Sequence, residues 1–285
     1  MQVPSVSITE CPRDAMQGIK EFVPTSLKTE YLNLLLKVGF DRLDFGSFVS
    51  PKAIPQMRDT AEVLAGLTPD TDTKLLAIIA NTRGARDAVK HERIDILGFP
   101  FSVSETFQQR NTNSSRAQSL ETVKEIVDLC ADAGKTPLVY LSMGFGNPYG
   151  DDWNEHIVAE YAERLYAMGV REFALADTVG NSDEEKIKLL YPFLTRAFPS
   201  ATWGLHLHSR PEESLAKLNA ALDVGCRRFD TALRGFGGCP MAKDDLTGNI
   251  ATESLLALLE TRGVATELDM KAWSDAVAYS WKIFY

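Results

Sequence analysis

Along this chain, short runs rich in β-branched and aromatic residues alternate with longer segments whose apolar positions recur every three or four residues. The runs VSITECP, RLDFGSF, KLLAIIA and RIDILGF precede helical patterns over 25–38, 55–66, 81–91 and, after a long loop, 118–134. The second half keeps the beat. PLVYLSMG leads to 154–168, EFALADT to 183–197, TWGLHLH to 212–224, and RRFDTAL, after a glycine-rich loop, to 250–262. Alternating β and α units imply a parallel α/β sheet, and eight units of this length favour a closed (β/α)8 TIM barrel over an open sheet. The amphipathic stretch 268–284, with two tryptophans, predicts an additional C-terminal helix within a 263–285 extension of one 1–285 domain. It is expected to pack on the outside of the barrel or against a partner chain, and a homo-oligomer, a dimer, is the expected assembly.

Punctuation supports these elements. Thr25 and Ser26 offer an N-cap to the first long helix, and Ser182 offers another with Glu185 three residues on. Gly134, Gly169 and Gly225 each follow a helix where a left-handed residue is favoured. The loop 102–117 is the expected place for a lid or a ligand contact.

Composition narrows the function. The chain has 285 residues, 45% of them hydrophobic and 24% charged, as in a soluble globular protein with a large core. No run approaches the ~20 apolar residues of a membrane span, and MQVPSVSITE lacks a secretory pattern, which predicts a cytoplasmic protein. A net charge of −9 argues against nucleic-acid or anionic-membrane binding, although a local basic pocket can still hold a phosphorylated ligand. There is no GxGxxG after a strand. Of the four cysteines, Cys130 and Cys226 are expected to be small buried hydrophobes, whereas Cys11 and Cys239 lie in contexts where a thiol is accessible.

In TWGLHLHS, residues 202–209, strand geometry turns His206 and His208 to one face with Leu207 on the other. Barrel enzymes work at the C-terminal ends of their strands, and polar residues recur there. Glu10, Arg13 and Asp14 end the first strand, Asp44 lies in the second, Asp177 closes the sixth, and Cys239 and Asn249 follow the eighth. Asp14, His206 and His208, with Asn249 as a further donor, would offer a carboxylate, two imidazoles and an amide carbonyl to a divalent cation. The mixture suits magnesium or manganese better than a closed structural zinc site, with zinc or cobalt as further candidates. Arg13 reads as a fixed positive charge beside the metal or as an ion-pair partner of Asp44 or Asp177. Asp44 is a catalytic support or a buried arginine partner, and Asp177 is catalytic or caps the following turn. GFGGCPMA, 235–242, is a flexible loop or a hinged flap carrying Cys239.

Taken together, CPRDAMQ at 11–17, SFVSPKAIPQM at 47–57, FQQRNTN at 107–113, LADTVG at 175–180, HLH at 206–208, GFGGCP at 235–240 and GNIATE at 248–253 resemble the 3-hydroxy-3-methylglutaryl-CoA lyases. These belong to a wider superfamily of metal-dependent lyase and synthase barrels. The resemblance implies a metal held by Asp14, His206, His208 and Asn249, with Arg13 stabilising an enolate and Cys239 handling a proton. It implies catalytic support from Asp44, where the family usually has glutamate, and from Asp177. The implied reaction cleaves an acyl-CoA thioester to acetyl-CoA and acetoacetate, the base being a histidine, or Asp44 or Asp177 through a water. Departures include Ser209, where the family commonly has aspartate, and Met143 and Asn147, where cysteines are frequent. Lys20, Lys52 and Arg110 are candidate contacts for CoA phosphates. A Claisen-type synthase would share the Arg-Asp and His-x-His motifs but usually has glutamate where Ala15 stands here, and a non-catalytic metal-binding barrel would not need Arg13 and Cys239.

Overall fold

The computed structural model describes residues 5–238 and 247–285. Eight strands follow the predicted runs: β1 (Ser7–Glu10), β2 (Arg42–Ser47), β3 (Lys74–Ile78), β4 (Ile96–Ser102), β5 (Thr136–Ser142), β6 (Glu172–Asp177), β7 (Thr202–Ser209) and β8 (Arg228–Thr231). Each pairs in parallel with its sequence neighbours, and β1–β8 and β6–β7 pairing completes the ring. A two-residue strand, β9 (Gly248–Asn249), runs antiparallel along β7, setting Asn249 opposite His208. The helices in chain order are α1 (Pro12–Met16), α2 (Thr25–Val38), α3 (Thr60–Gly66), α4 (Thr82–Ala88), α5 (Glu105–Thr112), α6 (Arg116–Ala133), α7 (Glu155–Ala167), α8 (Glu184–Ala197), α9 (Pro211–Asp223), α10 (Thr252–Thr261), α11 (Met270–Tyr279) and α12 (Trp281–Phe284).

The strands are buried on both faces because helices cover the outside and side chains fill the inside. Outward-facing Leu43, Phe45, Leu97, Phe99, Phe173 and Phe229 join the helix-side core, whereas Leu76, Ile78, Ile96, Leu138, Tyr140, Ala174 and Ala176 form a separate interior cluster. Below that cluster the interior is ionic. Glu172 accepts from Arg42 at 2.5 Å and from Arg228 at 3.2 Å, and Arg228 also reaches the Phe173 carbonyl. Gly204 makes room for this layer, since a Cβ there would collide with the Arg228 guanidinium. The register of β2 against β3 slips between Asp44 and Gly46, a bulge beside the site.

Several local expectations change. Residues 102–117 are not an open loop: Ser104 caps α5 by accepting from the Phe107 N–H, and a capping box at Ser115 and Gln118 starts α6. Residues 55–57 form a 3-10 turn ahead of a shorter α3. Asp183, not Ser182, caps α8, because the Ser182 hydroxyl is committed to Asp177; Pro24 precedes α2, with no side-chain cap from Thr25 or Ser26. Gly134, Gly169 and Gly225 do take positive φ. The C-terminal stretch forms two helices rather than one, and α11 buries its apolar face on the chain's own α2 side. Trp273 meets Phe40 edge-on at 5.8 Å, and Tyr279 donates to Glu30 at 2.7 Å. A partner chain is not needed to cover that face. No helix among the described residues is long and apolar enough to cross a membrane.

Candidate active site

β1 runs into α1 through Cys11 and Pro12, so Arg13 and Asp14 sit over the C-terminal mouth of the barrel, both buried. Proline at the first helical position holds that turn. Arg13 is clamped by β2: its Nε and Nη2 donate to the Asp44 carboxylate, Nη2 at 2.6 Å, while Nη1 reaches Asp14 at 3.0 Å and Gln17 at 3.0 Å. Asp44 is therefore the arginine's partner. Burial pushes its carboxyl up to about 6, with the Arg13 charge pulling the other way. Burial acts to raise Asp14 as well, but Arg13, His206, His208 and the Asn249 amide outweigh it and hold the carboxyl below the ordinary range.

His206 and His208 point into the barrel from β7, and their Nε2 atoms lie 3.2 Å apart. Each ring has an acceptor on its other nitrogen. His208 Nδ1 faces the Thr178 carbonyl at 3.0 Å, and His206 Nδ1 lies 3.4 Å from Asp230 Oδ2, an ion-pair distance at which neither of these two atoms has a hydrogen bond among the described residues. A carbonyl oxygen only accepts, so Nδ1 of His208 carries a proton and its Nε2 is free to accept from His206 Nε2 or to bind an ion. The two Nε2 atoms, 3.2 Å apart, either share one proton as a hydrogen bond or converge on a cation together with a third donor. Asp14 is that donor: Asp14, His206 and His208 offer ligand atoms within 4.8 Å of one another. Burial acts against charge on both rings. Asp230 and Asp14 overcome it at His206, whereas burial together with the neighbouring His206 lowers His208.

Asn249 completes the arrangement. Its Nδ2 donates to Asp14 Oδ2 at 2.7 Å and to the Phe236 carbonyl at 2.9 Å, which leaves Oδ1 buried and without a partner among the described residues. An orphaned buried oxygen costs about 1–3 kcal/mol, and a cation beside Asp14 would satisfy it. The donor set thus fits a divalent ion.

Asp177 is not in this cluster. Its side chain turns outward from β6 and accepts from the N–H groups of Asn181 and Ser182 at 2.7 and 2.9 Å, from the Ser182 hydroxyl at 2.5 Å and from Lys217 at 3.4 Å. It caps the loop that presents the Thr178 carbonyl to His208, the turn-capping reading of LADTVG. Cys11, expected to be accessible, is fully buried, and burial pushes its thiol well above the ordinary range. Cys239 lies outside the described residues.

Two participants escaped the sequence reading. Asp230 shares its strand face with Arg228, a period-two signal present in RRFDTAL. Lys217, buried and donating to the His208 carbonyl at 3.0 Å, sits on a helix whose pattern reads as ordinary. Above the cluster opens a cavity of ≈ 410 Å³ whose lining includes Gln17, Ile78, Tyr140, Ser142, Thr178 and Arg110. Lys20 and Lys52 are exposed and do not line it.

A closed parallel barrel with this polar cluster and cavity at its C-terminal mouth has the layout of a barrel enzyme. The chain matches the HMGL-like family over residues 6–278 and belongs to it. It is 32% identical to the cytoplasmic 3-hydroxy-3-methylglutaryl-CoA lyase of Rattus norvegicus over 93% of this chain and 77% of that protein. It is 32% identical to a hydroxymethylglutaryl-CoA lyase of Bacillus subtilis over 94% of this chain and 89% of that one. Among solved structures, an HMG-CoA lyase of Acinetobacter baumannii in complex with coenzyme A and 3-methylmalate is similar at TM-score 0.91 and 33% identity, covering 98% of this chain and 91% of that one. The carboxyl transferase domain of Rhizobium etli pyruvate carboxylase, 17% identical at TM-score 0.73, covers 98% of this chain and 47% of that one and shares the fold.

Proposed function

We propose that this chain is a divalent-metal-dependent carbon–carbon lyase that cleaves 3-hydroxy-3-methylglutaryl-CoA to acetyl-CoA and acetoacetate. One observation carries the reading: two imidazole Nε2 atoms 3.2 Å apart beside the Asp14 carboxylate, in a chain that belongs to the HMGL-like family. Asp14, His206, His208 and Asn249 would hold the ion, with magnesium or manganese favoured by the mixed oxygen and nitrogen donors. A divalent ion there would polarise the substrate's 3-hydroxyl and acyl carbonyl oxygens. Arg13, whose Nη1 faces Asp14 while Asp44 fixes its plane, places a permanent positive charge where the thioester enolate develops as the 3-hydroxyl gives its proton to a base, the C3 carbonyl forms and the C2–C3 bond breaks. The Thr178 carbonyl keeps His208 in the tautomer that presents Nε2, and Asp230 sits beside Nδ1 of His206 as its carboxylate neighbour. Asp44 acts through Arg13 rather than on substrate. Cys239, by its place in GFGGCP, is the proton donor that converts the enolate to acetyl-CoA. Arg110, on the cavity rim, is the basic contact for the CoA moiety.

The test is acetyl-CoA release from 3-hydroxy-3-methylglutaryl-CoA after EDTA treatment and again after Mg²⁺ or Mn²⁺ is restored, with His206→Ala and Cys239→Ala beside the parent. Metal-restored cleavage that falls by roughly 10² or more in both variants is expected. A folded, metal-loaded protein that releases no acetyl-CoA would sink the substrate assignment.

A further inference from the structure

The C-terminal helices do more than cover the barrel wall. The Phe284 ring at the end of α12 stacks on Phe236 at 4.3 Å and 21°, and meets Tyr31 of α2 edge-on at 6.1 Å. Both Phe236 and Phe284 pack against Cys11, Ala15 and Ala232, a small apolar cluster directly behind α1 and Asp14. Phe236 is the residue whose carbonyl accepts from Asn249 Nδ2. That bond and the one to Asp14 together use both amide hydrogens and dictate which way the Asn249 oxygen points.

Phe236 ends a 3-10 turn, Leu233–Gly235, and its N–H donates to the Leu233 carbonyl at 3.3 Å. Gly235, Gly237 and Gly238 all take positive φ, at 68°, 96° and 140°, so the segment is flanked by the least restrained residue type. It also lies close against the site: a Cβ at Gly237 would stand 2.8 Å from Asn249 Nδ2 and 2.8 Å from the Asp14 carbonyl. Beyond that turn the carbonyl side of Phe236 meets only glycine, so its ring, stacked on Phe284 and met edge-on by Tyr285 at 5.9 Å, is the anchor on that side. The neighbouring Arg234 guanidinium lies over the Trp281 ring at 4.4 Å, a second tie from the same short helix.

We propose that Phe284 is a positioning residue for the metal centre: through the Phe236 stack it fixes the Phe236 carbonyl, which orients the Asn249 amide with its oxygen toward the ion. This rests on the metal-site reading above. It joins the C-terminal extension to the chemistry, 35 positions along the chain from Asn249. It also assigns these aromatics a task beyond burial.

Mn²⁺ affinity of the EDTA-treated protein, followed by the electron paramagnetic resonance of free Mn²⁺, tests this without turnover. Phe284→Ala is expected to weaken Mn²⁺ binding roughly tenfold, as loss of an outer-sphere orienting group does. Phe284→Tyr, which keeps the stacked ring, should stay within about twofold of the parent. Trp273→Ala removes a comparable aromatic contact on α11, away from the site, and should lower the melting temperature while leaving Mn²⁺ affinity within about twofold. Phe284→Leu keeps the apolar bulk without the ring and carries the comparison if the alanine variant does not fold. Parent-like Mn²⁺ affinity in Phe284→Ala or Phe284→Leu, or equal weakening in Trp273→Ala, would overturn the proposal. Absence of Mn²⁺ binding by the parent would instead bring down the metal-site reading, and this inference with it.

Discussion

Glu10 shows how one residue's surroundings rewrite its chemistry. It ends β1, faces outward, and accepts from the Leu233 N–H at 2.7 Å and the Thr252 hydroxyl at 2.5 Å. Burial is the largest influence on it, countered by those two hydrogen bonds and reinforced by Glu253, and its carboxyl is pushed up to about 8. The folded chain therefore keeps a proton that the unfolded chain releases near the ordinary value of 4.5. Between those two values the folded state binds more protons than the unfolded state, so this residue's contribution to stability declines as pH rises from 4.5 through 8. Glu10→Gln, whose amide oxygen can still accept from Leu233, is expected to lose that decline. Urea unfolding at pH 5.5 and pH 8 should show the variant gaining on the parent by on the order of 1 kcal/mol for each pH unit. Parallel curves would mean that Glu10 ionises normally in the fold.

At the scale of elements, the barrel divides into a floor that stabilises and a mouth that reacts. The floor's Arg42, Glu172 and Arg228 depend on the missing side chain at Gly204 in β7, the same strand that carries both histidines two and four residues later. Gly204→Ala crowds the Arg228 guanidinium and should cost about 1–3 kcal/mol in urea unfolding. Mn²⁺ affinity, measured at the mouth, should be unchanged. Loss of Mn²⁺ binding without loss of stability would show that the two ends of β7 are not independent. The residue after a histidine matters too: Ser209, where the family commonly has aspartate, turns its hydroxyl to the Arg210 carbonyl at 2.8 Å, while the His208 carbonyl is held by Lys217 from α9.

For the molecule as a whole, the candidate metal site gathers α1, β7 and β9, from opposite ends of the chain. A ligand bound only by the folded state stabilises the whole, by about 2.7 kcal/mol at a hundredfold excess over its Kd. Calorimetry with Mn²⁺ against EDTA is expected to show a melting temperature higher by roughly 5 °C for a barrel of this size, and His208→Ala should abolish the difference. An equal shift in that variant would place the ion elsewhere.

The sequence by itself determined the eight strands, the parallel barrel, and the gathering of Arg13, Asp14, His206, His208 and Asn249 at one mouth. Period-two and period-3.6 patterns are local, and the convergence of strand ends follows from closure. It also carried the family, through motifs spread over most of the chain. Only the tertiary structure decided between the open readings, because each turned on a partner distant in sequence. Asp44 pairs with Arg13 across 31 positions. Asp177 spends its oxygens on the loop before α8 and on Lys217, and Asp230 is drawn in by His206 from the neighbouring strand. Which nitrogen of each imidazole is free depends on a backbone carbonyl and on a carboxylate 24 residues away, neither of which any local pattern encodes.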